Sequence, residues 1–166
     1  MSEVVGRPSR ALPSILVLAI CLLICFAAAG IGSALTLPAI SGWYETLAKP
    51  AFNPPNAVFG PVWTVLYALM AVAMWRVWMR SSGAERRRCA GIFALQLALN
   101  VAWSAVFFAG HSPGGGVVVI LALLVAILAT IVAFARVDRL AAWLLSPYLA
   151  WVLFASLLNV SIWRLN

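Results

Sequence analysis

Apolar residues occur in this chain as long stretches without charge. Four stretches contain no Asp, Glu, Lys or Arg, and they cover residues 11–44, 50–75, 89–135 and 140–163. One membrane-spanning helix needs about 20 mostly apolar residues, so the third stretch is long enough for two helices. The glycine-rich segment 110–116 divides that stretch. The pattern predicts five transmembrane helices, at about 12–34, 57–80, 88–109, 115–136 and 140–163.

Composition supports an integral membrane protein that forms one domain over residues 1–166. Of the 166 residues, 65% are hydrophobic and only 9% are charged, which is too little charge to cover the surface of a soluble domain. The apolar stretches are continuous rather than alternating, so a membrane β-barrel is not expected. The predicted fold is therefore all-α, a bundle of five transmembrane helices.

Basic residues are distributed unevenly between the two sides of this bundle. The net charge is +7. Arginines before the first helix, around the second turn and beside the fourth turn fall on one side: Arg7, Arg10, Arg76, Arg80, Arg86, Arg87, Arg88, Arg136 and Arg139. Only Lys49 and Arg164 fall on the other side. By the positive-inside rule the N-terminus is expected in the cytoplasm and the C-terminus outside. These charges serve topology and lipid contact, so no nucleic-acid partner is expected.

Residues 1–30 also resemble a secretory signal peptide. Arg7 and Arg10 precede an apolar stretch, and three alanines follow at 27–29. The apolar stretch is longer than the usual roughly 7–15 residues of such a signal. A retained first helix is therefore preferred over a cleaved signal peptide.

Few residues suit acid–base or metal chemistry. The acidic residues all lie near helix ends or in loops: Glu3, Glu45, Glu85 and Asp138. The single histidine, His111, lies in the glycine-rich turn and is interpreted as a solvated turn residue rather than a haem ligand. The three cysteines form no CxxC motif and are interpreted as small buried residues. No metal site is expected, and the missing intramembrane ionisable residue counts against an ion-coupled transporter.

The polar segment 43–55, between the first two predicted helices, contains three prolines. Proline fixes the backbone angle φ and removes a backbone donor, which is typical of a rigid lid. Glu45 and Lys49 are four residues apart, so one turn of helix would allow their side chains to pair. The segment is predicted to cover an aromatic cavity, with Trp43 and Tyr44 reaching toward the ligand.

The third predicted helix has two distinct faces. One face carries residues at the spacing i, i+4, i+7, i+11: Gln96, Asn100, Trp103 and Phe107. Amides buried in a membrane need partners, so this face is expected to point inward, where it either ties helices together or contacts a ligand. The roughly opposite face carries small residues: Ala90, Ala94, Ala98 and Ala102. Such a ladder permits close helix approach, in a homodimer seam or within one bundle.

The second and fifth predicted helices carry aromatic stripes. The second has Trp63, Tyr67, Met70, Met74 and Trp78. The fifth has Pro147, Tyr148, Trp151, Phe154, Ala155, Asn159 and Trp163, and its proline is expected to mark a kink. Ordinary packing and an interfacial belt also explain such stripes. If Trp63, Trp103 and Trp151 face inward, the bundle holds a wide, flat, apolar cavity suited to a planar polycyclic ligand.

Several motifs resemble the translocator protein/tryptophan-rich sensory protein (TspO) family, in the family's order and spacing. The first loop and second helix contain Trp43-Tyr44, Lys49-Pro50, Pro54-Pro55, Gly60-Pro61-Val62-Trp63 and Leu66-Tyr67. The third helix contains Gln96-Leu97-Ala98-Leu99-Asn100, Trp103 and Phe107-Phe108. The fifth contains Pro147-Tyr148-Leu149-Ala150-Trp151, Leu158-Asn159 and Trp163-Arg164. The resemblance extends from about residue 43 to residue 166.

The resemblance implies a five-helix membrane protein, commonly a homodimer, with a pocket among the helices that the first loop closes. Members bind porphyrins and haem, and many bind sterols and synthetic isoquinoline-type drugs. A tetrapyrrole is thus implied as a ligand and not as a required cofactor. Carried over by position, the ligand-binding candidates are Trp43, Tyr44, Trp63, Asn100, Trp103, Phe107, Tyr148, Trp151 and Ala155. Tryptophans matching Trp63 and Trp151 are implicated in light-dependent porphyrin breakdown, which makes these two the tentative catalytic residues.

Two positions depart from the pattern of animal members. Val160 stands where their sterol-recognition segment has a tyrosine, which weakens the expectation of cholesterol binding. Val101 stands where they often have another tryptophan.

Three functions are compatible with these features. The first is a sensor that binds tetrapyrroles and regulates their metabolism or a stress response. The second is an enzyme that degrades porphyrin oxidatively through Trp63 and Trp151, and the third is a transporter of tetrapyrroles or lipids. The tryptophans, the predicted lid and the lack of catalytic ionisable groups favour the sensor.

Overall fold

The computed structural model describes residues 13–166, which form seven α-helices and one π-helical segment. The α-helices are α1 (Ser14–Ile40), α2 (Trp43–Thr46), α3 (Asn56–Arg80), α4 (Gly83–Ser104), α5 (Pro113–Ala135), α6 (Arg139–Trp143) and α7 (Ser146–Leu165). The π-helical segment Ala105–Ala109 continues α4. Residue 12, the predicted start of the first helix, lies outside the described residues, as do Glu3, Arg7 and Arg10.

The predicted five-span fold is confirmed. Within the described residues, five helical stretches are long and apolar enough to cross a membrane: Ser14–Ile40, Asn56–Arg80, Gly83–Ala109, Pro113–Ala135 and Arg139–Leu165. The ends of the second and fourth spans agree with the sequence prediction to within two residues.

Two predicted helix ends were wrong. The first helix was predicted to end at residue 34, but α1 continues through Pro38 to Ile40 and ends before Gly42. The third was predicted to begin at residue 88, but α4 begins at Gly83. The prediction followed apolar content, whereas Ala, Glu and Arg are strong helix formers that extend α4 beyond the apolar run.

The fifth span is interrupted near its start. The short helix α6 ends at Trp143, and α7 begins at Ser146 with Pro147 in its first turn. Proline is tolerated there because the first backbone N–H groups of a helix have no intrahelical partner. The predicted proline kink is therefore a break between two helices that lies just before Pro147.

The helices pack in the order α3, α1, α4, α5 and α7, each against the next. The core contains fully buried side chains from several of them, including Met70, Val77, Ile127 and Phe134. Since α3 and α7 are the two ends of this chain of contacts, a cavity can lie between them.

An ion pair ties the end of α3 to the turn between α5 and α6. Arg76 Nε donates to Asp138 Oδ2 at 2.7 Å, and Arg80 Nε lies 3.5 Å from the same oxygen. Burial raises the pKa of the Asp138 carboxyl, but the hydrogen bonds from Arg76 and from the backbone of Leu140, together with the positive charges of Arg76 and Arg80, outweigh that effect. The pKa of Asp138 is consequently held below its ordinary value.

Candidate functional site

A cavity of about 490 Å³ lies at the end of the bundle beneath the α1–α3 connection. Side chains from α1, α2, α3, α4 and α7 line it. Its aromatic walls are Phe26, Tyr44, Phe59, Trp63, Tyr67, Trp103, Phe108 and Trp151. Leu37, near the end of α1, is 64% exposed, and Asn56, at the start of α3, is also exposed. Both line the cavity, so its mouth lies between these two helix ends, beside the α1–α3 connection.

The nine predicted ligand-binding residues divide into two groups. Six line the cavity: Tyr44, Trp63, Asn100, Trp103, Trp151 and Ala155. The other three, Trp43, Phe107 and Tyr148, lie behind its walls, where they support the residues that line it. Trp63, Trp103 and Trp151, whose inward orientation was the condition for an aromatic cavity, all line it.

The connection from α1 to α3 folds over the cavity through Tyr44 of α2. Tyr44 is only 5% exposed, and its hydroxyl donates to Asn53 Oδ1 at 3.1 Å. Burial raises the pKa of the Tyr44 phenol above its ordinary value despite that bond. Asn166 clasps the same segment, because it accepts from the Ala48 N–H at 3.0 Å and donates to the Ala48 carbonyl at 3.1 Å. We call residues 43–55 the lid.

The expected pairing of Glu45 with Lys49 is wrong. Lys49 Nζ donates instead to the backbone carbonyl oxygens of Glu45, at 3.4 Å, and Leu47, at 3.1 Å. It also lies 4.6 Å from the centre of the Tyr44 ring, a distance typical of a cation–π contact. The helical turn ends at Thr46, so Lys49 is outside the helix that would have aligned the two side chains.

Trp43 and Phe107 support the lid from behind. The Trp43 ring stacks on His111 with centroids 4.7 Å apart and meets the edge of Phe107 at 5.7 Å. Phe107 is 2% exposed and also contacts Tyr44. The backbone of His111 has a φ of 48°, a left-handed conformation that is uncommon outside glycine. His111 therefore supports the lid through its contact with Trp43, and it does not line the cavity.

The π-helical segment changes the direction of the inner face of α4. A π-helical turn holds an extra residue and is often found at functional sites. Here it places Phe107 under the lid and Phe108 in the cavity wall, with ring centroids 4.8 Å apart. The spacing from Gln96 to Phe107 therefore predicted the buried face correctly but could not reveal the contribution of Phe108.

A hydrogen-bonded chain crosses the floor of the cavity. The Tyr67 hydroxyl donates to Asn100 Oδ1 at 2.9 Å, and Asn100 Nδ2 donates to the Tyr148 hydroxyl at 2.8 Å. Tyr148 is fully buried and meets the Trp63 ring edge-on at 6.2 Å. Because both ends of the Asn100 amide have partners, this residue joins α3, α4 and α7 and fixes the shape of the floor.

A second chain holds Trp103. Its Nε1 donates to Asn159 Oδ1 at 2.9 Å, and Asn159 Nδ2 donates to the Pro113 carbonyl at 2.8 Å. The indole of Trp103 is therefore fixed against α7 and the start of α5. The sequence analysis left two amides between structural and ligand-binding roles. Of these, Asn100 has hydrogen-bond partners on α3 and α7, and Gln96 Nε2 donates to Met70 Sδ at 3.6 Å.

Trp151 is held differently. Its ring meets Phe59 edge-on at 5.7 Å and is tilted against Phe154 at 5.7 Å. Within the described residues its buried Nε1 has no hydrogen-bond partner. Trp151 also lines a groove of about 760 Å³ on the outside of the bundle, between α3 and α7, so this ring has open space on two sides.

The lining from α1 was missed by the sequence analysis. It includes small residues at the spacing i, i+3, i+4, i+7: Ala29, Gly32, Ser33 and Thr36. Such spacing marks one helical face, and small side chains on it leave room for a ligand. The signal was present, but the surrounding apolar residues of this helix obscured it.

Comparison with known proteins identifies the family. Residues 19–164 match the TspO/MBR family. The chain belongs to that family. It is 45% identical over 156 residues to the tryptophan-rich protein TspO of Chlorobaculum tepidum, which covers 92% of this chain and 97% of that protein. The human translocator protein is 42% identical over 126 residues, 75% of each chain. The tryptophan-rich sensory protein of Cereibacter sphaeroides is 38% identical over 125 residues, 75% of this chain and 77% of that protein.

Family membership confirms the resemblance drawn from the motifs and the integral membrane location of the chain. The sites most characteristic of the TspO/MBR resemblance, Trp63, Asn100 and Trp151, surround the same cavity. Among residues 13–166, no three His, Cys, Asp or Glu side chains cluster in a way that could hold a metal ion. The chemistry of the cavity is therefore that of aromatic faces, hydroxyls and amides.

Proposed function

We propose that this protein is a membrane receptor or sensor that binds a tetrapyrrole, protoporphyrin IX or haem, and regulates tetrapyrrole metabolism or a stress response. The observation that carries the proposal is the cavity of about 490 Å³ that the indoles of Trp63, Trp103 and Trp151 surround. Pockets for small molecules span roughly 300–1,000 Å³. Membership of the TspO/MBR family supports the same ligand class.

The chemistry of the walls suits a planar apolar ring. Aromatic rings gain free energy from offset-stacked and edge-on contacts beyond the area that they bury, and three indoles from three helices offer such contacts in different directions. Isoquinoline-type ligands meet the same requirement. Sterols are a weaker candidate, because Val160, at the tyrosine position of the sterol motif, does not line the cavity.

A titration of the purified protein with protoporphyrin IX, followed by tryptophan fluorescence, tests the proposal. Saturable quenching is expected, and Trp63→Phe is expected to weaken binding about tenfold. Trp143→Phe is the matched control, because Trp143 is 72% exposed on α6, away from the cavity. Quenching that rises linearly without saturation, or that is equally affected by both substitutions, would contradict binding in this cavity.

Photo-oxidative breakdown of porphyrin is the second candidate, since Trp63 and Trp151 both line the cavity. When the porphyrin complex is illuminated, porphyrin is expected to break down more slowly in Trp151→Phe than in Trp143→Phe if the Trp151 indole takes part. Equal loss of porphyrin absorbance in the two variants would remove any role for Trp151.

A transporter, the third candidate, requires porphyrin flux into sealed vesicles, and binding without flux would count against it.

The lid role of residues 43–55 rests on the burial of Tyr44 and the clasp between Ala48 and Asn166. Replacing Pro54 and Pro55 with glycine raises the backbone freedom of the unfolded lid. Weaker porphyrin binding is expected while circular dichroism shows an intact bundle. Unchanged binding would reduce the lid to a connector.

A homodimer through the alanine ladder of α4 is also proposed. Ala94 and Ala98 are exposed on the outer face of that helix, where small residues permit close approach of a second copy. Ala98→Cys is expected to form a disulfide-linked dimer in native membranes. Val118→Cys, at a position 70% exposed on α5, is the control, and equal cross-linking of both variants would argue against a specific seam.

A further inference from the structure

Among residues 13–166, no Asp, Glu, Lys or Arg lines the cavity. The proposed tetrapyrrole ligands, however, carry carboxylate arms on one edge of an apolar ring. An ionised carboxylate is strongly disfavoured in an apolar environment unless it is paired. The ring can therefore occupy the cavity only if its carboxylate edge lies at the mouth, beside the lid.

Lys49 is a lid residue whose ammonium lies over the ring of Tyr44, the lid residue that lines the cavity. Its Nζ lies 4.6 Å from the centre of that ring. The ammonium donates to two backbone carbonyl oxygens of the lid, at 3.1 and 3.4 Å. A lysine ammonium has three donors, so these two hydrogen bonds leave one N–H for a further acceptor.

Neither an ion pair nor membrane topology explains this cation. Among residues 13–166 the ion pairs join Arg76 and Arg80 to Asp138, at the opposite end of the bundle. Glu45, the nearest acid along the chain, contributes its backbone oxygen rather than its carboxylate. Lys49 also lies on the side that carries few basic residues, where the positive-inside rule favours none.

We propose that Lys49 binds a carboxylate of the tetrapyrrole while the ring lies in the cavity, and so selects anionic porphyrins over neutral ones. This inference rests on the proposed function. The flexible four-carbon stem of lysine lets the ammonium follow the carboxylate without movement of the Tyr44 ring. The ion pair forms at a half-buried position, so salt weakens it only in part.

Arg164 provides a matched control on the same side of the protein. It is exposed near the end of α7 and lies outside the cavity lining. It lies two residues before Asn166, which is hydrogen-bonded to Ala48 of the lid. A general attraction between cations and porphyrin would therefore act through Arg164 as well as through Lys49.

The experiment compares protoporphyrin IX with its uncharged dimethyl ester. The Kd of each is measured at pH 7.5 for the unsubstituted protein, Lys49→Met, Lys49→Arg and Arg164→Met. Lys49→Met is expected to weaken the binding of the free acid about tenfold, equivalent to about 1.4 kcal/mol, and to leave the ester unchanged. Lys49→Arg is expected to keep most of the affinity, and Arg164→Met is expected to change neither Kd.

The possible outcomes separate this inference from the proposed function. Equal weakening of acid and ester by Lys49→Met would mean that Lys49 only holds the lid, and unchanged binding of both would remove any contact. An effect of Arg164→Met as large as that of Lys49→Met would replace a specific site with general attraction. If the unmodified protein binds neither porphyrin, the proposed function itself fails.

Discussion

Two walls of the cavity hold their tryptophans in different ways. On the α4 wall, Trp103 donates to Asn159 at 2.9 Å, and Asn159 donates to the Pro113 carbonyl at 2.8 Å. On the wall where α3 faces α7, Trp151 meets Phe59 edge-on and Phe154 at a tilt, and its N–H has no partner among the described residues. The Trp103 indole is fixed by directional bonds, and the Trp151 indole is held by contacts that have little direction.

The difference separates a scaffold from an adaptable surface. A hydrogen bond in a membrane restrains its donor because an unpaired donor there is costly. Aromatic edge contacts, in contrast, are favourable over a range of distances and angles. Trp151 also has a groove of about 760 Å³ on its outer side and the cavity on its inner side. This ring can therefore adjust to ligands of different shape while Trp103 stays in place.

Glycines reinforce the fixed wall. A Cβ atom added at Gly116 would lie 2.8 Å from both Asn159 Oδ1 and Phe107 Cδ2, and one added at Gly114 would lie 2.8 Å from Trp163 Nε1. Real Cβ atoms do not approach other atoms so closely, so the start of α5 can pack against α7 only with glycine at these positions. Close packing and hydrogen bonds therefore act on the same wall.

The largest expected effect follows from removing the bond that joins α4, α5 and α7. Asn159→Leu leaves the partly buried Trp103 N–H without its partner and removes the side-chain bond to the Pro113 carbonyl. Each buried group left unpaired costs about 1–3 kcal/mol, although bonds in membranes average closer to 0.6. We expect a loss of about 2–3 kcal/mol in unfolding free energy, measured by denaturation in detergent. Asn56→Leu, at the exposed cavity mouth, is the control, and an equal loss there would contradict the contrast between the walls.

Close packing at the fixed wall is tested next. Gly116→Ala forces the Asn159 and Phe107 side chains away from the added Cβ atom. Overpacking of this kind costs about 1–3 kcal/mol. Gly91→Ala is the matched control, because no atom of residues 13–166 lies within 4 Å of its added Cβ atom and alanine is the better helix former. We expect thermal stability to fall in the first variant and to rise slightly in the second. A rise in both would show that the wall tolerates a side chain at Gly116.

The five-span fold could be predicted because it follows from the length of the apolar runs and from one breaker segment. The inward face of α4 could be predicted as well, because Gln96, Asn100 and Phe107 follow helical spacing and are buried. The end of α1 could not, because Pro38 looks like a terminator although helices in membranes tolerate proline. Hydropathy alone also cannot show where helix formers such as Glu85 extend a span into water.

The cavity was predicted in outline but not in its walls. Motif positions indicated the tryptophans, yet the π-helical turn that brings Phe108 inward has no signal in the spacing of the residues. The partner of Asn159 is a backbone carbonyl on another helix, and such pairs depend on how helices are arranged in three dimensions. Lys49 was assigned to Glu45 because only their separation along the chain was visible.

Removing the two indole N–H groups compares the walls directly. Trp103→Phe leaves Asn159 Oδ1 without its donor. We therefore expect the unfolding free energy to fall by about 1 kcal/mol, in addition to the cost of burying a smaller ring. Trp151→Phe removes a donor that has no partner, so only the loss of ring area is expected. Denaturation of both variants under the same detergent conditions measures the difference. Equal losses would mean that Trp151 has a partner, such as a lipid or water, in the membrane.

The smallest expected effect concerns the ion pair that joins α3 to the α5–α6 turn at the end of the adaptable wall. Because the pKa of Asp138 is lowered in the folded protein, its contribution to stability is present above the unfolded pKa, about 3.9. That contribution is lost as the pH falls through the lower folded value. Arg76 is partly exposed, so the contribution is expected to be below about 1 kcal/mol.

Asp138→Asn is therefore expected to lower the melting temperature slightly at pH 7 and to reduce its fall between pH 5 and pH 3. Glu45→Gln, which removes an exposed carboxylate on the lid, is the control and is expected to change neither quantity. Porphyrin affinity at pH 7 is expected to stay the same in Asp138→Asn, because this pair lies far from the cavity mouth. If porphyrin affinity falls together with stability, the ion pair also positions α3 beside the cavity. The position of the adaptable wall would then depend on that ion pair.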